Sequence, residues 1–410
     1  MVEILAPAGN HESLAAAIKA KADAVYFGIK GLNMRSLGSK NFDIKELDAI
    51  VKLCHKNKIK AYLTVNTIIY GNEFEKVDTI LSAAKKAKID AIIASDFAVI
   101  QKANEIGLSV HISTQCSVSN FEAVKFYAKF ADNIVLAREL TLEQIKSITT
   151  QIKKEKLKGA NGELMKIECF VHGAMCISVS GRCFMSLYEH NKSANRGECL
   201  QSCRRAYKVT DLEENKELKI ENNYVMSPND LCTIEILDKI VDAGINILKI
   251  EGRGRSVEYV FTVTQVYNEA LKAIKAKKFT EKLKKELLEK LKTVYNRGFS
   301  TGFFMGMPIG KWSEQYGSKS TEKKVYVGKV LHYYPKVQVA EIKLEAEDIK
   351  KGDEIAFTGP TTGFFKQKLN EIQINHKPID KAKQGQSIGI KVNEKVRIND
   401  KFFVIKKKAL

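Results

Sequence analysis

Tryptophan is nearly absent from this 410-residue chain, which holds one, Trp312. With no amphipathic basic helix carrying Trp or Phe anchors, a role on a membrane surface has little support. Long apolar runs are absent too. No stretch of about eighteen apolar residues occurs, and the opening Met1-Val-Glu-Ile-Leu-Ala-Pro-Ala-Gly9 has no basic segment before an apolar run. The expectation is a soluble, cytoplasmic protein with no membrane partner. Hydrolase and nucleotide motifs are also missing. There is no H-E-x-x-H and no G-x-S-x-G, and Ala6-Pro-Ala-Gly-Asn10 has neither G-x-G-x-x-G nor a P-loop lysine. Acidic residues are in deficit, 48 against 67 Lys and Arg, for a net charge of +19. A polyanion is the expected partner, with incidental basic surface in a lysine-rich chain as the plainer alternative.

What the chain does have is cysteine in one place. Six of its eight cysteines fall between Cys169 and Cys232. The densest part reads His172-Gly-Ala-Met-Cys176, Gly181-Arg-Cys183 and Asn195-Arg-Gly-Glu-Cys199-Leu-Gln-Ser-Cys203-Arg-Arg. In a reducing compartment such a cluster ligates metal or does redox work rather than forming disulfides. Zinc ribbons bring two closely spaced pairs, and only Cys199 and Cys203 approach that. Unequal intervals suit the corners of a [4Fe-4S] cluster, whose ligands are thiolates. On residue types alone, iron-sulfur, zinc and metal-free thiols all stay open, with Cys176, Cys183, Cys199 and Cys203 as the candidate ligands. Cys54 and Cys116 read as small buried hydrophobes, and Cys169 as a packed thiol on a strand. Cys232 is expected in the first turn of a helix over 229–243, as the substitute fourth ligand.

Short apolar segments alternate with amphipathic helical patterns. Eight strands are expected, at 3–6, 24–28, 60–66, 91–95, 109–114, 133–137, 166–172 and 246–251. This predicts an α/β fold, a TIM-like (β/α)8 barrel, with an open doubly wound sheet as the alternative. The barrel unit spans 1–320, with the cysteine-rich βα insertion at about 173–228 and trailing helices. A small β-barrel of five or six strands follows at 321–410, its Phe364, Phe365, Phe402 and Phe403 expected in its core. Polar residues at strand ends gather on the catalytic face: Asn10, Asn66, Asp96, Gln115, Arg138, Glu139, His172, Lys249, Glu251 and Arg253. His172 and Glu251 are the candidate catalytic residues. Asn66, Gln115, Arg138, Lys249 and Arg253 are candidates for binding substrate.

Glu168-x-Phe170-Val-His172-Gly-Ala-Met-Cys176, Ser180-Gly-Arg-Cys183, Asn195-Arg-Gly-x-Cys199-x-Gln-x-Cys203-Arg204 and Lys249-Ile-Glu-Gly-Arg253 resemble the signatures of the collagenase-like U-type peptidase family 32. Leu5-Ala-Pro-Ala-Gly9, Asn33-Met-Arg35, Ser113-Thr-Gln115 and Arg138-Glu139 extend the match over nearly the whole chain, and the C-terminal segment resembles a translation-factor β-barrel. Members with four such cysteines resemble hydroxylation proteins that carry a [4Fe-4S] cluster. One barrel plus one small β domain is similar to the group that makes 5-hydroxyuridine at the tRNA wobble position with prephenate as co-substrate. The resemblance thus implies tRNA rather than DNA as partner, and an electron donor or a cysteine-desulfurase system. An rRNA hydroxylase, a peptidase and a non-catalytic iron-sulfur RNA-binding protein are the alternatives. Gly252-Arg-Gly-Arg-Ser256 departs from the family's usual Gly-Arg-Met-Lys-Ser.

Overall fold

The computed structural model describes residues 2–208, 210, 213, 224–307 and 311–408. Its first ten strands are β1 (Glu3–Ala8), β2 (Ala24–Phe27), β3 (Lys60–Val65), β4 (Ala91–Ala94), β5 (Val110–Ile112), β6 (Asn133–Val135), β7 (Lys166–Gly173), β8 (Asp230–Cys232), β9 (Ile247–Ile250) and β10 (Phe299–Ser300). β1 to β7 run parallel, each beside the next. β9 pairs parallel with both β7 and β1 and closes the barrel. All eight expected strands are present, and the closed parallel barrel is the expected TIM-like architecture.

Strand alternation sorts the side chains into two layers. Leu5, Ala24, Tyr26, Tyr62, Ala91, Ile93 and Ile247 form a cluster inside the barrel. The opposite pleat, with Ile4, Val25, Ile92, Cys169 and Leu248, packs against the helices in the larger outer core. Those helices include α1 (His11–Lys19), α2 (Leu47–Lys56), α3 (Phe74–Lys86), α4 (Phe97–Glu105), α5 (Phe121–Tyr127) and α6 (Leu142–Glu155). Asn10, Asp96, Asn120 and Thr141 cap α1, α4, α5 and α6 through side-chain oxygens, satisfying first-turn N–H groups that would otherwise lack partners.

One expected element is wrong. Residues 229–243 do not form a single helix. β8 pairs antiparallel with β7, His172 opposite Cys232 and Gly173 opposite Leu231, and the helix that follows is only Leu237–Asp242. Apolar residues at 231, 234, 237 and 240 imitate a helical period, but a ladder on β7 wins over the first of them. After the barrel come Val257–Lys275 and Glu281–Lys292, two helices packed on one another. The C-terminal unit is an antiparallel eight-stranded sheet beginning at Glu322–Tyr334, with a separate two-stranded ladder. It has more strands than expected because very short ones are joined by tight turns. Ile372–Ile374 and Lys377–Ile379, for example, flank Asn375 and His376, both at positive φ as a primed hairpin turn requires. Phe365 and Phe402 lie in the core of this unit as expected, whereas Phe364 and Phe403 are buried in a separate cluster against Val257 and Phe261 of the helix after β9.

Candidate active site

The upper interior of the barrel is polar and largely paired. Glu168 is fully buried and accepts hydrogen bonds from Lys249 Nζ at 2.6 Å and Asn133 Nδ2 at 2.5 Å. Lys249 Nζ lies 4.7 Å from the ring centroid of Tyr26. Two residues further along the chain, Glu251 Oε1 is gripped by Arg35 through Nε at 3.1 Å and a terminal nitrogen at 2.6 Å. Burial pushes the Glu251 carboxyl upward, but Arg35, Arg138 and Arg253 outweigh it and hold the pKa at about 2. Arg253 donates to Asn33 Oδ1 at 3.0 Å and Thr64 Oγ1 at 2.9 Å, and burial lowers its pKa to about 10. Arg138 stacks on Phe170 at 4.0 Å and donates to Ala174 O. The Nε atoms of Arg138 and Arg253 are buried and have no hydrogen-bond partner among the described residues. Buried guanidinium donors rarely stay unsatisfied, so both mark unmet hydrogen-bonding capacity at this site.

Over this layer lies the cysteine-rich excursion. It leaves β7 at Gly173, where φ is +108° and a Cβ would sit 2.4 Å from Glu251 O. It contains the short helix Met185–His190 and returns at β8. Arg204 donates to Met175 O, to Ser227 Oγ at 3.2 Å and to Pro228 O at 3.0 Å, tying its two ends together. Arg196 pairs with Glu73 and stacks on Tyr70 at 4.4 Å, pinning the excursion to the segment between β3 and α3. Arg297 bonds Gln201 Oε1 and Asp230 Oδ1.

Excursion and barrel together form a cavity of about 150 Å³, open at its rim. Cys176, Cys183, Cys199 and Cys203 line it, together with Arg35, Asn66, Gln115, Arg138, Arg204, Lys249, Glu251 and Arg253. All eight cysteines are free thiols. Among the described residues no three His, Cys, Asp or Glu side chains meet closely enough to hold one metal ion. A cubane asks for something different: each thiolate binds its own iron, so the four must surround a body several ångströms wide rather than converge on a point. Four thiols around one cavity fit that demand. Burial raises the Cys203 pKa, and the other three thiols add to the rise while Arg204 opposes it. Arg138, Arg204 and Arg253 have no carboxylate hydrogen-bond partner among the described residues and can offset thiolate charge.

The structure therefore brings together the four cysteines and Asn66, Gln115, Arg138, Lys249, Glu251 and Arg253. His172 is not with them. Between Phe170 and His172 a bulge in β7 slips the register against β9, so His172 lies opposite the outward-facing Ile250. Its ring is enclosed by Tyr259, Tyr267 and Phe299, and burial lowers its pKa to about 3. It is a neutral core histidine on the helix side of the strand, without access to the cavity. Cys232 is likewise buried, its pKa pushed to about 12, and does not line the cavity. Asn10 and Asp96 serve as helix caps, and Glu139 is exposed away from the cavity. Arg35 and Arg204 join the site without having stood out as site residues in the sequence. Both stand in motifs that carry the family resemblance, Asn33-Met-Arg35 and Cys203-Arg204, but neither motif by itself says that its arginine reaches the cavity.

A (β/α)8 barrel whose catalytic face is roofed by a four-cysteine excursion over an arginine-rich cavity defines the class of this protein. The chain belongs to peptidase family U32, whose model matches residues 9–314. It is similar to "Collagenase" of Porphyromonas gingivalis, 49% identical over 98% of this chain and 97% of that one. It is also similar to "tRNA hydroxylation protein P1" of Bacillus subtilis, 37% identical over 90% of this chain and 86% of that one. "23S rRNA 5-hydroxycytidine C2501 synthase" of Escherichia coli is 32% identical over 67% of this chain but only 40% of its own length.

Proposed function

We propose that this protein is an iron-sulfur RNA-modifying enzyme that hydroxylates C5 of a uridine in tRNA, at the wobble position, with a prephenate-like dicarboxylate as co-substrate. The observation that carries this reading is the cavity shared by Cys176, Cys183, Cys199 and Cys203 with Arg138 and Arg253. Those four thiolates would hold a [4Fe-4S] cluster, which when bound would supply a redox-active centre at the cavity wall. Arg138 and Arg253 would hold the anionic groups of the co-substrate or a phosphate, through guanidinium forks whose Nε donors have no partner among the described residues. Glu251 is ionised at neutral pH and keeps Arg35 in place beneath them. An anticodon-loop base is already partly unstacked, so presenting it to such a mouth costs little compared with a duplex base.

The "tRNA hydroxylation protein" relatives and the net charge of +19 support RNA as the partner. The 49% identity to a "Collagenase" favours a second reading, peptide hydrolysis. A peptidase needs a nucleophile beside its base. Among the described residues no hydrogen bond joins a serine or cysteine side chain to a histidine, and His172 is packed among Tyr259, Tyr267 and Phe299, away from the four cysteines. Nucleoside analysis decides between the readings. Deleting the gene should remove 5-hydroxyuridine derivatives from tRNA, and the anaerobically prepared protein should restore them. Unchanged tRNA, in cells with no other enzyme for this step, together with collagen cleavage by the purified protein would reverse the choice.

A further inference from the structure

Beside the cysteine-lined cavity lies a second cleft of about 270 Å³. The two share Met34, Asn66, Gln115, Ser180 and Gly181, so they are contiguous. A polymer with one unit in the cavity has its next unit at this cleft. Three of the cleft's residues are unusual. Phe97, the first residue of α4, is 65% exposed although an aromatic ring gains most from burial. One neighbour, Tyr127, lies parallel to it at 6.5 Å. Arg182 is exposed, and its guanidinium makes no hydrogen bond or ion pair among the described residues. Asn195 accepts from the Cys183 N–H at 3.3 Å, while its Nδ2 has no partner among the described residues.

An apolar ring, an unpaired guanidinium and an open amide edge are the contacts by which proteins hold single-stranded nucleic acid: stacking, phosphate pairing and edge reading. Each nucleotide brings a phosphate for Arg182, whereas a peptide unit brings no charge. Resting on the RNA-modifying reading above, the geometry points to this cleft as the seat of the nucleotide adjacent to the one that enters the cavity. Its base stacks on Phe97, its phosphate pairs with Arg182, and Asn195 reads its edge. Because Asn195 also holds the backbone of Cys183, filling this seat steadies the segment that carries one of the four cysteines.

The test uses a synthetic RNA hairpin whose loop carries one uridine, with 2-aminopurine on its 5′ or 3′ side, titrated into the anaerobically reconstituted full-length protein. Binding should quench the 2-aminopurine on one side only. Phe97→Ala should abolish the quench and weaken binding by about tenfold or more, as loss of one base–aromatic stack does. Arg182→Gln should weaken binding and lower the slope of log affinity against log salt by about one. Phe130→Ala, which removes an exposed ring between α5 and β6 at the opposite end of the barrel, should change neither. Since Phe97 is exposed, its removal does not threaten the core. Native affinity and an intact quench in both cleft variants would overturn the subsite and leave the RNA-modifying reading standing. Failure of the native protein to bind the hairpin at all would overturn both.

Discussion

Glu168 and Lys249 show what single residues contribute here. Neither is solvated, and each makes the other tolerable, because an unpaired buried charge costs far more than a paired one returns. Lys249→Met should therefore destabilise the protein by about 3–5 kcal/mol in chemical denaturation, while Glu168→Gln combined with Lys249→Met should recover part of the loss. Equal stability of Lys249→Met and the native chain would show that the Lys249 ammonium is not what keeps Glu168 tolerable in the barrel. His172 gives a pH signature. Its folded pKa of about 3 lies below its ordinary value of 6.5, so between these the unfolded chain binds more protons than the folded one. Stability from its burial is complete above about 6.5 and is lost as pH falls towards 3. His172→Phe should flatten the fall in Tm across that window, and an unchanged slope would assign it elsewhere. His172 was misplaced from sequence because alternation from Phe170 aims it into the barrel, and a one-residue bulge cannot be read from side-chain pattern. Lys249, Glu251 and Arg253 were legible because they stand at the end of a barrel strand, where the fold itself aims side chains at the catalytic face.

At the level of elements, the cysteine excursion depends on close approaches. Gly197 has φ +85°, and a Cβ there would lie 2.2 Å from Asn33 O. Leu37 N donates to Gly197 O, and Ser36 Oγ to Arg196 O. Gly197→Ala should push this segment, with Cys199 two residues on, away from the barrel. Iron bound after anaerobic reconstitution should fall well below that of the native protein while the Tm of the metal-free barrel changes little; full iron loading would show that the segment need not dock there. Cys-to-Ser variants assign the ligands. Those at 176, 183, 199 and 203 should lose iron, and those at 169 and 232 should keep it. Loss in Cys232→Ser with retention in Cys203→Ser would exchange the fourth ligand. The eight barrel strands were legible because each is a short apolar run beside an amphipathic helical pattern. β8 was not, since its partners β7 and β10 lie far away in sequence and only those pairings make it a strand.

As a whole molecule, the chain joins its two units through a mixed contact. Phe364 and Phe403 of the C-terminal sheet pack against Val257 and Phe261 on the long helix after β9. Lys324 pairs with Glu258 at 2.6 Å, and Lys19 with Glu394 at 2.5 Å. Truncation would bare that apolar patch, so charge substitution is the cleaner probe of the sheet's part in binding RNA. Lys336, Lys377 and Lys383 are exposed on it. Changing all three to Gln should weaken tRNA binding and reduce its salt dependence in proportion to the number of phosphates those lysines neutralise. Unaltered affinity across a salt series would confine recognition to the barrel. The pairing of β7 with β8 has a longer reach. It clasps the excursion at its root, so the barrel closes whatever lies between Gly173 and Asp230. Enlarging a loop whose ends are already held costs only logarithmically with length. Lineages can therefore lengthen, shorten or rewrite that roof without renegotiating the scaffold, and one ancestral barrel could come to serve several substrates.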